Sequence, residues 1–146
     1  MTSPRIRVSA VVRRGNTILL VNHQKENSNY WLLPGGGVRA GETAEEALAR
    51  EVLEETSMVI KPGPIIGICE SIWPDRSRHV VHFIYDTQAA SGSPGTSSDP
   101  RVRGSRFVEI DSLENLTLHP PLQTWLAKRF AGEFMPSPQY LGPLWD

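Results

Sequence analysis

The chain has 146 residues, the size of one ordinary domain, which can bury a hydrophobic core without disulfides or a structural metal. Its 15 Lys and Arg residues nearly balance its 16 Asp and Glu residues, so the composition gives no sign of a nucleic-acid partner or of an anionic membrane. The single cysteine, Cys69, excludes an internal disulfide and, with no apolar run long enough to span a bilayer, favours a cytoplasmic location.

Short apolar segments with turn signals between them predict strands in the first part of the chain. Residues 6–12 alternate between apolar and polar, and a Gly-Asn turn at 15–16 precedes the apolar run 18–21, which predicts a β-hairpin. A polar loop at 23–29 and a short apolar stretch at 30–33 then lead to three consecutive glycines. Glycines admit backbone angles closed to other residues, so the chain can come very near a ligand or an ion there.

A capping box predicts a helix from Thr43 to Thr56, because Glu46 follows Thr43 by three residues and good helix formers come after it. At about 100° per residue, Glu51, Glu54 and Glu55 fall within one sector of this helix. The opposite side of the helix is predicted to pack against the core, and it consists of Leu48, Ala49, Val52 and Leu53.

Three carboxylates on one helix face repel one another by a few tenths of a kcal/mol per pair. Arg50 can pair with Glu54 at i, i+4, but one cation cannot neutralise three anions, so we expect a bound divalent metal ion. Carboxylate oxygens suit Mg²⁺ or Mn²⁺, and with no cysteine or histidine nearby in sequence a zinc site is disfavoured. Because Mg²⁺ readily shares a substrate phosphate, the cluster indicates phosphate chemistry. The alternative is a solvated acidic face, which is the interpretation for Glu45 and Glu46.

A second helix and an apolar tail are predicted towards the end of the chain. Between the last two predicted strands, residues 88–104 are rich in Ser, Gly and Pro and predict a long mobile loop. The second helix is predicted to start near residues 120–121 and to pack on the sheet. Residues 135–146 are too apolar to be fully solvated, so they are expected to dock on their own domain or on a second subunit, as in a homodimer. The further strands are predicted at residues 65–69, 79–85 and 106–110.

The spacing of glycine, charged and aliphatic residues across residues 36–58 follows a family signature. The matching residues are Gly36, Glu42, Arg50, Glu51, Val52, Leu53, Glu54, Glu55, Thr56 and Met58. With them the chain resembles the Nudix hydrolase family, and Ser57 stands where that family has glycine. A serine there costs about 1 kcal/mol if the left-handed geometry of a helix C-terminus persists; otherwise the helix runs on towards residues 61–62.

The resemblance implies a fold and a set of site residues. The fold is an α/β/α sandwich of the α/β class with a mixed central β-sheet, formed by a single domain over residues 1–146 with its core in residues 1–134. The base would be one of the glutamates, such as Glu51, or a carboxylate from another loop, where Asp99 is the candidate. Arg50 would orient Glu51, and Glu42 would hold the loop against the helix. The implied metal ligands are the side chains of Glu51, Glu54 and Glu55 and the carbonyl of Gly36, and the implied catalytic residues are Glu51, Glu54, Arg50 and Asp99.

The resemblance also implies the reaction, which is attack by water on a phosphorus of a nucleoside diphosphate linked to another group, with Mg²⁺ or Mn²⁺. Pro74 lies sixteen residues beyond Met58, as in family members that act on ADP-ribose, so ADP-ribose or a nucleotide sugar is favoured. The substrate-binding candidates are Trp31 for base stacking and Arg76, Arg78 and Arg103 for phosphate or ribose.

Several alternatives stay open from the sequence. Each aromatic candidate could be plain core, and each arginine could lie on a solvated face. Within the family, the substrate could be an oxidised or non-standard nucleoside triphosphate. From other classes, the chain could be a catalytically inactive ligand-binding module or a metal-dependent isomerase. The expected partner is a small nucleotide derivative, with neither nucleic acid nor membrane.

Overall fold

The computed structural model describes residues 3–95, 97, 101–133, 135 and 137–145. Over this part of the chain two α-helices are present, α1 (Ala44–Thr56) and α2 (Gln123–Phe130), with a 3₁₀ helix at Ile110–Asn115. The strands are β1 (Arg5–Val11), β2 (Arg13–Arg14), β3 (Thr17–Lys25), β4 (Ser28–Leu32), β5 (Gly35–Gly37), β6 (Val59–Ile72), β7 (His79–Ser91), β8 (Val102–Glu109) and β9 (Gln139–Pro143).

The strands form two sheets. The central sheet has the order β5-β1-β7-β6-β9, and the second sheet runs β2-β3-β4 with β8 beside β3. In the central sheet β1 is parallel to β7 and β6 to β9, whereas β1 is antiparallel to β5 and β6 to β7. The sheet is therefore mixed, as predicted.

The predicted hairpin is only partly correct. Arg13 and Arg14 pair with Ile18 and Thr17 around the expected turn. The strand before them, β1, instead lies in the central sheet between β5 and β7. Helices cover both faces of the central sheet, so both faces of β1 are covered, and the alternation in the sequence identified only one of them.

The two α-helices lie on opposite faces of the central sheet, which confirms the α/β/α sandwich. From α1, Leu48 and Val52 are fully buried against Val8 of β1. On the other face, Leu126 of α2 packs in a core with Ile84 of β7. No helix in the described ranges is long and apolar enough to cross a membrane.

The packing side of α1 differs from the predicted one. Leu53 was expected to pack, but it is 50% exposed, whereas Glu55 is only 3% exposed. Glu55 follows Leu48 by seven residues, which is about two turns, so the two side chains share the buried face. The glutamate cluster thus begins at the edge of the core and does not lie opposite it.

The second half of the chain has longer strands than predicted. Because Val59 to Lys61 pair with Ala89 to Ser91, β6 and β7 extend into the region predicted as a loop. The connection between β7 and β8 is therefore 92–101 and not 88–104. Asp99 lies outside the described residues. The tail forms β9, which pairs with β6 of its own domain.

Candidate active site

Helix α1 presents the glutamates and is fixed at both ends. The Thr43 side chain accepts the Glu46 N–H at 3.1 Å, and the Glu46 carboxylate accepts the Thr43 N–H at 3.0 Å. At the other end Ser57 has φ 63°, in the left-handed region, and its N–H donates to the Leu53 carbonyl at 2.9 Å. The helix therefore ends at Thr56, with Ser57 as its C-cap, and does not run on towards residues 61–62.

Arg50 connects three of the carboxylates of the site. Its Nε and Nη2 donate to the two oxygens of Glu42 at 2.7 and 2.9 Å, and its Nη1 donates to Glu51 at 2.8 Å and to Glu54 at 3.4 Å. Nη2 also donates to the Gly37 carbonyl at 3.1 Å. The fork from Arg50 lowers the pKa of Glu42 to about 2, and the pairing raises the pKa of Arg50. Arg50 thus ties α1 to the glycine strand and to the loop before the helix.

The glycines form a short strand, β5, rather than an irregular loop. None of Gly35, Gly36 and Gly37 has a positive φ, so their conformation is open to other residues. Close approach explains two of them: a Cβ on Gly36 would lie 2.3 to 2.5 Å from the Glu51 carboxyl atoms, and one on Gly35 would lie 2.0 Å from the Val8 carbonyl oxygen. Glu51 is held between Gly36 and Arg50, and its burial raises the pKa of its carboxyl group above the ordinary value.

Glu55 is buried and faces the protein. Its Oε1 accepts the Gly35 N–H at 2.8 Å, and its Oε2 lies 3.5 Å from Nε2 of His23. The half-buried Arg7 interacts electrostatically with this carboxylate. Burial lowers the pKa of the Arg7 guanidinium, and the negative charges of Glu55 and Glu51 oppose that shift. A second cation, from β1, therefore interacts with the cluster in addition to Arg50.

A narrow cleft, too tight to hold a water molecule, adjoins Arg7. One of the residues that line the cleft, His82, shares a 2.9 Å hydrogen bond with Ser71. Burial and the nearby charge of Arg7 lower the pKa of His82 to about 4. The imidazole is therefore neutral at physiological pH. The cleft is lined by Arg7, Ser9, Leu33, His82, Ile84, His119, Pro120 and Leu122.

The sequence family follows from a match that covers most of the chain. The family model of the NUDIX domain matches residues 3–130. The chain belongs to the NUDIX domain family. This confirms the predicted Nudix hydrolase, and the glutamates beside the glycine strand are its Nudix signature.

Individual relatives agree with this assignment. An ADP-ribose pyrophosphatase of Methanocaldococcus jannaschii is 29% identical over 116 residues, which are 77% of this chain and 66% of that protein. The phosphatase NudJ of Escherichia coli K12 is 28% identical over 123 residues, covering 84% of this chain and 80% of the relative. A NUDIX hydrolase structure from Nitrosomonas europaea superposes with a TM-score of 0.78 at 24% identity, covering 92% of this chain and 94% of that one. The chain thus spans just under two thirds of the first relative.

The predicted substrate residues lie on several elements. Trp31 on β4 is half-buried, and the Arg106 guanidinium lies 4.9 Å from its ring. Arg76 and Arg78 lie in the turn between β6 and β7, where Arg78 stacks on Trp73 at 4.7 Å. Arg103 is exposed on β8.

Sequence reasoning missed three residues that the fold brings to the Nudix site or its cleft: Arg7, His23 and His82. Arg7 could have been found, because it lies on the second face of β1 and a central strand is covered on both faces. His23 was assigned to a polar loop, but it lies on β3 and is 7% exposed. Its approach to Glu55, 32 residues away in sequence, has no local signal.

The site has oxygen donors of the kind that a divalent metal prefers. Within the described ranges, no group of three or more His, Cys, Asp or Glu side chains is arranged to hold a metal ion. Glu51 and Glu54 point to Arg50, and Glu55 points to Gly35. The carboxylate oxygens and the close fit of Glu51 on Gly36 match the chemistry of Mg²⁺ sites, in which few protein ligands are needed.

Proposed function

We propose that this Nudix hydrolase is a Mg²⁺-dependent pyrophosphohydrolase that cleaves the phosphate–phosphate bond of a nucleoside diphosphate linked to another group. ADP-ribose or a nucleotide sugar is the proposed substrate. The observation that carries the proposal is the assembly of Glu51, Glu54 and Glu55 on α1 beside Gly36. The similarity to an ADP-ribose pyrophosphatase supports the choice of substrate.

The metal would be held by carboxylates of α1. Glu54 is the accessible ligand, with 39% of its side chain exposed, and Glu51 has 19% exposed. Glu55 and the Gly36 carbonyl complete the proposed set. Bound Mg²⁺, or Mn²⁺ in its place, would supply Lewis-acid stabilisation of phosphate charge and a more acidic water.

The remaining roles fall to residues around the glutamates. Arg50 holds Glu51 by a 2.8 Å hydrogen bond, and Glu51 is the proposed proton acceptor. Arg7 interacts electrostatically with Glu55 and Glu51, so it is proposed to offset the negative charge of the cluster. Asp99 stays an alternative base from the loop between β7 and β8.

The rest of the substrate would lie outside the glutamate cluster. Trp31 is proposed to stack on the base, and Arg76, Arg78 and Arg103 are proposed to bind phosphate or ribose. A small nucleotide derivative is thus the proposed partner, while a homodimer and a cytoplasmic location stay predictions.

A product assay tests the function. The chain is incubated with Mg²⁺ and a panel of ADP-ribose, nucleotide sugars and nucleoside triphosphates, and products are identified by chromatography. ADP-ribose and water should give AMP and ribose 5-phosphate, and chelator should abolish the reaction. Glu54→Gln should lose about a hundredfold in rate. Glu45→Gln is the matched control, because Glu45 is exposed on the first turn of the same helix and should leave the rate unchanged.

The result that would contradict the proposal is equally specific. Release of no product from any diphosphate in the panel would reject the activity. Normal turnover of Glu54→Gln, with metal still required, would reject the assignment of α1 as the metal-binding helix. Turnover of nucleoside triphosphates alone would support the proposed hydrolysis and reject ADP-ribose and nucleotide sugars as its substrates.

A further inference from the structure

His23 is a buried side chain whose polar tip has no conventional partner. The residue is 7% exposed, and its Nε2 is among the buried side-chain atoms that lack a hydrogen-bond partner in the described structure. The atom is not aimed at the apolar core. It faces Oε2 of Glu55 at 3.5 Å, and most buried polar atoms are hydrogen-bonded, so this exception needs a reason.

The imidazole ring of His23 is fixed from several sides. Its strand, β3, lies between β4 and β8, and His23 is directly opposite Tyr30. The Tyr30 ring packs 5.6 Å from the His23 ring, and His119 packs edge-on against Tyr30 at 5.0 Å. The ring therefore cannot turn away from Glu55 without disturbing the wall of the cleft.

Glu55 is constrained on its other oxygen. Its Oε1 accepts the Gly35 N–H at 2.8 Å, which leaves Oε2 facing His23. A neutral imidazole with its lone pair towards Oε2 would repel the carboxylate, whereas one with hydrogen on Nε2 attracts it. The separation exceeds an ordinary N–H···O distance of about 2.9 Å by roughly half an ångström, so the two atoms face each other at the outer limit of a hydrogen bond.

We propose that His23 is a positioning residue that donates Nε2–H to Glu55 and thereby fixes this carboxylate for metal binding, an inference that rests on the function proposed above. Hydrogen-bonding partners of ligating groups commonly change metal affinity by about 10–100-fold when removed. The helix sequence offered no histidine to its glutamates. The fold supplies one from β3, acting through Glu55 and not as a ligand itself.

The test measures Mn²⁺ affinity without substrate, by electron paramagnetic resonance of the free ion in titrations of the full chain. His23→Leu removes the donor, and the dissociation constant should rise about tenfold or more. His23→Gln places an amide N–H at similar reach and should bind close to wild type. His23→Asn is too short to reach Oε2 and should resemble the leucine variant, so a poorly folded His23→Leu does not leave the comparison incomplete.

Two further variants separate this role from general damage. His79→Leu is the matched control, because His79 contacts the carboxylate of Glu70, outside the glutamate cluster, at 2.8 Å. It should leave Mn²⁺ affinity unchanged. In a Glu55→Gln background, His23→Leu should cause no further loss, since His23 acts through the carboxylate that this background lacks.

The outcomes distinguish the two proposals. Equal Mn²⁺ affinity of the wild type and His23→Leu overturns the role of His23 and leaves the proposed function standing. A loss in His23→Gln as large as that in His23→Leu overturns the donated hydrogen bond. A wild-type chain that binds no Mn²⁺ contradicts the metal-dependent function itself, and the role of His23 falls with it.

Discussion

Replacing Gly36 by alanine should lower activity about a hundredfold while leaving the fold intact. The new Cβ would lie 2.3 Å from the Glu51 carboxyl carbon and 2.5 Å from both of its oxygens. Ordinary contact needs about 3.4 Å, so the Glu51 carboxylate must move by roughly 1 Å and lose its hydrogen bond from Arg50. A displacement of that size can cost about a hundredfold in rate, or about 2.7 kcal/mol. The obstacle is the end of a flexible side chain, so the helix need not move.

The neighbouring glycines supply controls for this substitution. An alanine Cβ at Gly37 would meet its nearest atom, Nη2 of Arg5, at 3.6 Å, which is ordinary contact. Gly37→Ala should therefore be active and stable. At Gly35 the Cβ would lie 2.0 Å from the Val8 carbonyl oxygen, which is backbone of β1. Gly35→Ala should destabilise the fold by about 1–3 kcal/mol or more, which lowers the melting temperature by roughly 2–4 °C per kcal/mol.

Two measurements on the three variants decide the matter. Calorimetry should rank the melting temperatures with Gly35→Ala lowest and the other two near wild type. Rates on the best substrate of the panel should show kcat/KM reduced in Gly36→Ala and normal in Gly37→Ala. Equal activity of Gly36→Ala and Gly37→Ala would refute the argument that Gly36 exists to admit the Glu51 carboxylate.

Three further predictions concern stability. Glu42→Gln should destabilise the protein at neutral pH but not near pH 2. Arg50 lowers the pKa of Glu42 in the folded protein from 4.5 to about 2. The ionised Glu42 carboxylate therefore stabilises the fold above pH 4.5, and this stabilisation is lost as the pH falls from 4.5 to about 2. Urea unfolding at both pH values should show the gap from wild type closing, and a constant gap would contradict this. Glu55→Gln should lower the free energy of unfolding by about 1–3 kcal/mol, and with it the melting temperature, because Glu55 is 3% exposed and accepts the Gly35 N–H. Glu54→Gln should melt like the wild type, and equal melting temperatures of the two variants would count against this prediction. Ser57→Gly should raise the free energy of unfolding by about 1 kcal/mol, and with it the melting temperature, because Ser57 has a left-handed φ of 63° that glycine adopts without strain. A lower melting temperature would disprove that reasoning.

Local signals account for what the sequence could predict. The capping box at Thr43 and Glu46 is complete within four residues, and both of its hydrogen bonds are present in the structure. The spacing that suggests a Nudix hydrolase lies within 23 residues, most of them on one helix. Features of this kind depend on neighbours along the chain, so no tertiary contact was needed to find them.

Non-local features were missed for a corresponding reason. The alternation of β1 revealed its apolar face, but the use of Arg7 on the other face depends on a cleft formed with His82 and His119. The position of β1 in the central sheet, and not in a hairpin with β3, depends on β7, about 75 residues away. Pairings of this kind leave no pattern within a short window of sequence.

Glu55 shows how the core and the site constrain each other. Its place seven residues after Leu48 puts a carboxylate on the face that packs α1 against the central sheet. A buried carboxylate needs hydrogen bonds, and the glycine strand provides one through the Gly35 N–H. Gly35 can approach only because it has no side chain to meet the Val8 carbonyl of β1. The glycine strand therefore serves packing at Gly35 and the glutamate site at Gly36, which is why substitutions at adjacent positions should fail in different ways.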